Sequence, residues 1–194
     1  MHLHPSDEPI AALVLGHGAG GGVTAPDLVA VTNVARAAGV SVALVEQPYR
    51  VAGRRSPAPA RVLDAVWTEV VEQLREGELK GLRLVVGGRS SGARVACRTA
   101  TATGAVGVLC LAFPLRPPPR SGSPPSLSRL PELDAVSVPL LVVQGARDRF
   151  GIPPARVLRT VEQVPGDHGL KTDLEAVAAA VRAWLPGIVA QTSS

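Results

Sequence analysis

The sequence predicts a three-layer α/β/α sandwich built on a mostly parallel sheet of about six strands. Short apolar runs alternate with longer amphipathic ones along the whole chain. The short runs are β-branched-rich or continuously apolar, as expected of strands covered on both faces. The long runs repeat their apolar residues at helical spacing. Strands alternating with helices give a parallel sheet with helices on both faces.

The strands are expected at residues 10–15, 40–46, 82–87, 106–111, 140–144 and 160–164. Pro26, whose locked φ suits a first helical position, opens the first helix. Across residues 60–75, Val62, Val66, Val70 and Leu74 form a ridge flanked by Leu63, Trp67 and Val71. Arg61, Asp64, Glu69 and Glu72 face away from it. A last helix over 172–185 buries Leu174, Val177, Val181 and Trp184. Two Pro-rich connections, 47–59 and 113–138, follow strand C-terminal ends, the edge where open α/β sheets bind ligands. They are expected to wall a pocket and are candidates for a lid. The opening residues, with His2 and His4, are expected to fray. No internal repeat is present.

At 194 residues the chain has the size of one domain, expected to span residues 1–194. A hydrophobic fraction of 46% against 19% charged excludes overall disorder. No apolar run approaches the roughly 18 residues a membrane span needs. MHLHPSDEP lacks the regions of a signal peptide, so a cytoplasmic protein without membrane attachment is expected. The net charge of +4 is scattered, and aromatics at 3% leave no stacking platform, which argues against nucleic acid as a partner. Cys97 and Cys110 read as small buried hydrophobes in a helix and a strand, not as a disulfide or metal pair. Neither metal nor cofactor is expected, and the sequence specifies no oligomeric state.

The first strand runs into LVLGHGAGGG, which has two readings. Gly16, Gly18 and Gly21 spell G-x-G-x-x-G, the dinucleotide fingerprint, and Glu46 stands where a ribose-binding carboxylate would. The same residues spell H-G-x-G, a turn that can hold an oxyanion. A second motif decides between them. Gly88-Arg89-Ser90-Ser91-Gly92 is G-x-S-x-G between an apolar strand and a helix, the setting in which a strained turn projects a serine above the sheet. Ser90 is therefore the candidate nucleophile, and Ser91, lacking the symmetric glycines, contributes its backbone at a helix start. A serine needs a base, and the base an orienter. His168, in VPGDHGL after the last strand, is the candidate base. Asp148, in VQGARDRFG after the preceding strand, is the candidate acid, with Asp167 a weaker alternative. The order Ser90, Asp148, His168 is that of α/β-hydrolases. The phosphate reading also needs a helix that begins inside the glycine motif, whereas Pro26 starts it about five residues too late.

The chain resembles the α/β-hydrolase superfamily, and within it the small dienelactone-hydrolase-like group of Tex/KANL-type hydrolases. HGAGG, GGRSSGARVA, FPLRPP, VQGARDRFG and GDHGL carry the likeness in the family's order. The resemblance implies Ser90 as nucleophile, Asp148 as acid and His168 as base, with an oxyanion hole from the Ala19 and Ser91 N–H groups. It also implies a minimal fold without a helical cap. The two strands that usually precede the HGAG strand have no counterpart, so a shortened sheet is expected. Dienelactone hydrolases proper carry cysteine where this chain has Ser90, so their substrate is not carried over.

The expected activity is a serine esterase or thioesterase whose partner is a small-molecule acyl substrate. His17, Tyr49, Arg89 and Phe113 are candidate pocket residues. Arg89, Arg116, Arg147 and Arg149 gather along the same edge in sequence, either to favour anionic substrates or to make ion pairs and brace the turn. His17 is read as a hydrogen-bonding prop for its loop. The competing functions are an interaction module with an idle triad and a nicotinamide-dependent reductase.

Overall fold

A computed structural model describes residues 1–54, 56–117 and 126–190. Residue 55 and residues 118–125, which belong to the two Pro-rich connections, lie outside the described residues. Seven strands form one sheet: β1 (His2–His4), β2 (Ala11–Gly16), β3 (Val40–Val45), β4 (Arg83–Arg89), β5 (Gly107–Leu111), β6 (Leu140–Gly145) and β7 (Arg159–Val164). Their order is β1-β3-β2-β4-β5-β6-β7. All pair in parallel except β1, which lies antiparallel on β3. The helices are α1 (Pro26–Ala37), α2 (Pro48–Val51), α3 (Ala60–Glu76), α4 (Ser91–Thr99), α5 (Leu130–Asp134) and α6 (Leu174–Val189).

The central strands, β2 to β6, are largely apolar because each serves two cores. Ala12, Val14, Val45, Val86, Cys110 and Val142 meet Leu63, Trp67 and Val71 of α3 and Ala93 and Ala96 of α4. The alternating set, Leu13, Leu15, Val42, Val85, Leu111 and Val143, meets Leu28 and Val31 of α1 and Val177, Val181 and Leu185 of α6. Each fully buried Val or Leu contributes about 1.5–3 kcal/mol, so both layers are needed to hold the sheet. Cys97 and Cys110 are free and buried in the first of these cores, their sulfurs 3.4 Å apart. Burial pushes the Cys110 thiol well above its ordinary range, which makes it a packing residue.

Three expectations are corrected. The opening residues do not fray: His2 and His4 belong to β1 and pair with Leu44 and Val42. A three-residue edge strand is too short to leave a periodic signal in sequence. The last helix continues through Pro186 to Val189, past the expected stop, because Ile188 and Val189 bury their side chains in the final turn. Asp64, expected to face solvent, pairs with Arg98 at 2.6 Å, and Arg94 and Arg98 both reach Glu132 of α5. These ion pairs fasten α4 to α3 and α5. No helix among the described residues is long and apolar enough to cross a membrane.

Because β2 and β4 to β7 run parallel, the loops that follow them share one edge of the sheet. Those loops carry His17, Ser90, Asp148 and His168.

Candidate active site

Ser90 ends β4 and immediately precedes α4, with φ 51° and ψ −106°. A non-glycine residue at positive φ is strained, and the surrounding packing must hold it there. Its backbone N–H donates to Leu111 O at 2.9 Å, extending the ladder to β5. Gly88 and Gly92 permit the turn for steric reasons. A Cβ on Gly88 would stand 2.4 Å from Gly16 O, and one on Gly92 2.3 Å from the same oxygen. The end of β2, the end of β4 and the start of α4 thus touch backbone to backbone.

His168 follows β7, and Asp148 follows β6. The two loops are drawn together at Gly145, where a Cβ would lie 2.3 Å from Asp167 O. His168 Nδ1 lies 2.8 Å from Asp148 Oδ2, and His168 Nε2 lies 2.9 Å from Ser90 Oγ. A carboxylate only accepts, so Nδ1 carries the proton and Nε2 presents its lone pair to the Ser90 hydroxyl. The Asp148 side chain is wholly buried. Its Oδ2 also accepts from Gln144 Nε2 at 2.7 Å, and its Oδ1 accepts from the Phe150 N–H at 2.9 Å. Asp167 instead accepts from the Gly169 N–H at 2.8 Å, closing a local turn that leaves the orienting place to Asp148.

Two residues of this arrangement escaped the sequence reading. Gln144 is fully buried, and its Nε2 also lies 3.0 Å from Phe113 O and from Gly151 O, so its two N–H groups are shared among three acceptors. Its signal was one amide ending the otherwise apolar run LLVVQ. The ring of Phe150 lies tilted by 47° against His168, with centroids 4.3 Å apart, and the Arg149 guanidinium stands 5.2 Å from the Phe150 centroid.

His17 is fully buried in the loop after β2. Its Nδ1 donates to Gly18 O at 2.8 Å, and its Nε2 accepts from the Gln47 N–H at 2.9 Å. A carbonyl on one nitrogen and an amide donor on the other leave room only for the neutral Nδ1–H form. Burial accordingly lowers its pKa below the ordinary value, against an opposing pull from the Gly18 carbonyl. Tyr49, also buried, donates its hydroxyl to Ala19 O at 3.4 Å from behind the same loop.

A cavity of about 510 Å³ opens over Ser90 and His168. Its walls are residues 19–22 and 24–27, together with Arg89 and Lys171. Of the expected pocket residues only Arg89 lines it. His17 and Phe113 have no exposed surface, and Tyr49 braces the loop, because the chain beyond each strand end folds inward before it turns. Among the described residues, neither Pro-rich connection contributes to the walls. The glycine loop and the start of α1 take that place. Helix α1 begins five residues past Gly21, out of reach of a phosphate held by the glycine motif.

The four arginines gathered along this edge in sequence do not share one role. Arg89 Nε lies 2.9 Å from Asp27 Oδ2, and its Nη2 donates to His168 O at 3.0 Å. Arg116, Arg147 and Arg149 are exposed and line no part of the cavity. Lys171 is the cation at its mouth beside Arg89.

Residues 9–173 match the family model described as an alpha/beta hydrolase domain. No curated protein sequence matches the chain. Est1E from Butyrivibrio proteoclasticus is similar in structure, with a TM-score of 0.76 at 15% identity over 97% of this chain and 93% of that one. A dienelactone hydrolase from Anabaena variabilis gives 0.74 at 17% identity, covering 96% and 90%. XC6422 from Xanthomonas campestris, described as a serine hydrolase without lid, gives 0.70 at 20% identity, covering 94% and 87%. At such identities the structural likeness speaks for the fold, while the family match spans most of the sequence. The chain belongs to the α/β-hydrolase family, as a hydrolase with the core sheet of that fold and one short antiparallel strand at its edge.

Proposed function

We propose that this hydrolase cleaves small esters or thioesters with Ser90 as nucleophile, His168 as general base and Asp148 as the orienting acid. The observation that carries this reading is the chain of contacts from Asp148 through His168 to Ser90 Oγ, at 2.8 and 2.9 Å, beneath an open cavity. Ser90 Oγ attacks the acyl carbon while its proton passes to His168 Nε2. The imidazolium returns that proton to the leaving alcohol or thiol. Water then attacks the acyl-enzyme, giving one proton to His168, which restores the Ser90 hydroxyl as the acid leaves. Asp148 stays ionised throughout and stabilises the imidazolium.

The oxyanion is assigned to the N–H groups of Ala19 and Ser91, each such donor being worth about 3 kcal/mol in comparable sites. Ser91 opens α4, so its amide has no acceptor within the helix. The Ala19 N–H shares a planar trans peptide with Gly18 O and points the opposite way. His17 draws Gly18 O inward at 2.8 Å, which supports an Ala19 N–H turned toward the cavity. The walls carry glycine, alanine, threonine and proline and no large apolar side chain, which favours short acyl groups over fatty chains.

A panel of p-nitrophenyl esters and acyl thioesters of increasing length tests the reading. Turnover should be highest for two- to four-carbon acyl groups and absent in Ser90→Ala. Equal turnover by the variant would remove Ser90 from the reaction. No turnover by the wild type, with a stable protein partner co-purifying, would favour an interaction module.

A further inference from the structure

Among the described residues, Arg89 is the arginine that lines the cavity, and it is engaged on three sides. Arg89 is the last residue of β4 and carries Ser90 directly after it. Its Nε meets Asp27 Oδ2 at 2.9 Å, and its Nη2 donates to the carbonyl of His168 at 3.0 Å. Its Nη1 lies against Gly18, where an added Cβ would stand only 3.0 Å away. A single rigid plane therefore touches the start of α1, the loop bearing the imidazole and the loop assigned to the oxyanion.

Asp27 is the second residue of α1 and only 1% exposed. Its place in the first turn of α1 suits a carboxylate, since the backbone N–H groups of Asp27 and Leu28 there favour its charged form. Burial pushes its carboxyl above the ordinary value, and the guanidinium of Arg89 opposes that shift. Arg89 approaches off the ideal hydrogen-bond line, so the contact is an ion pair, and neither oxygen of Asp27 has a well-directed side-chain donor. Such a group is costly to keep unless its partner has a task. A second donor of that partner, Nη2, goes to the backbone of His168, from which the imidazole reaches Ser90.

We propose that Arg89 and Asp27 are a positioning pair, which holds the loops of Ser90, His168 and Gly18 in register for the reaction. The proposal rests on the serine-hydrolase reading above for its catalytic consequence. The Nε and Nη2 groups of Arg89 are thereby committed to protein contacts. Lysine keeps the charge but cannot make a fork of contacts from one plane.

The test is the low-field proton resonance of His168 Nδ1–H, read alongside kinetics on p-nitrophenyl acetate and thermal unfolding. In Arg89→Met the resonance is expected to broaden or vanish, with kcat down about 10- to 100-fold and KM changed by less than about threefold. Arg89→Lys should recover part of the loss. Asp27→Asn should act in the same direction and, combined with Arg89→Met, add nothing further, because the two residues work as one unit. Should Arg89→Met fail to fold, Asp27→Asn carries the same readouts. An unchanged resonance in a folded variant overturns the proposal whatever its activity. A resonance that behaves as described in a protein without ester turnover supports the positioning role and counts against the hydrolase reading instead.

Discussion

The buried amide of Gln144 donates to Asp148 Oδ2 at 2.7 Å, alongside the 2.8 Å contact of that same oxygen with His168 Nδ1. One carboxylate oxygen is thus held from two directions, and the other is held by the Phe150 N–H. The side chain has no freedom to turn away from the imidazole. Gln144→Leu removes donors from Asp148, Phe113 O and Gly151 O together. Hydrogen bonds to charged groups contribute about 1.5–3 kcal/mol each, so the melting temperature should fall by several degrees. Ester turnover should fall about tenfold with it. Gln144→Glu should be worse at neutral pH, since it sets a second carboxylate beside Asp148. Thermal unfolding and kcat of the two variants check both statements.

Asp148→Asn preserves the shape of the acid but reverses the demand on His168. An amide nitrogen facing Nδ1 favours the wrong tautomer, with the Nε2 proton directed at Ser90. On the proposed mechanism kcat should drop about 10⁴-fold with little change in stability. A drop of less than tenfold would mean that Asp148 does not orient the base.

The glycines around Ser90 are expected to tolerate no side chain. Gly88→Ala and Gly92→Ala each push a methyl to within 2.4 Å of the Gly16 carbonyl. Overpacking against side chains costs about 1–3 kcal/mol, and here the obstacle is backbone that cannot rotate aside. Each substitution should lower stability to at least the upper end of that range, measured by urea unfolding. Gly20→Ala, which meets nothing within 4 Å, is the matched control and should unfold like the wild type.

His17 predicts a pH dependence of stability. Its pKa is lowered in the folded protein, so below about pH 6.5 the unfolded chain binds a proton that the folded chain refuses. The stability it contributes is full above that value and is lost as pH falls toward the folded pKa. Asp27 acts with the opposite sign, since its raised carboxyl favours the folded state at acid pH and loses that advantage as pH rises. Urea unfolding at intervals between pH 5 and 8 should show a fall below pH 6.5 that is shallower in His17→Gln. Identical slopes in the two proteins would assign the titration to another group.

The sheet was legible because its central parallel strands, β2 to β6, are buried on both faces, and that burial writes nearly continuous apolar runs into the sequence. β1 was not legible, since its stability comes from pairing with β3 and not from any pattern of its own. The last helix outran its expected end for a related reason: the burial of Ile188 and Val189 carries it through Pro186. Ser90, Asp148 and His168 were singled out by motif and by strand order, and the fold brings all three within hydrogen-bonding distance. Gln144, Phe150 and Asp27 were not singled out. Their parts depend on which way a side chain turns at a strand or helix end, and spacing along the chain does not record that. The same limit explains why Phe113 and Tyr49, expected in the pocket, lie behind it.

The central claim is that Ser90 is an activated nucleophile. A fluorophosphonate probe followed by peptide mapping tests it most directly, because the probe reacts with activated serines whatever the natural substrate. One adduct per chain is expected, carried by Ser90, absent in Ser90→Ala and strongly slowed in His168→Ala. An adduct on another residue, or equal labelling of Ser90→Ala, would contradict it.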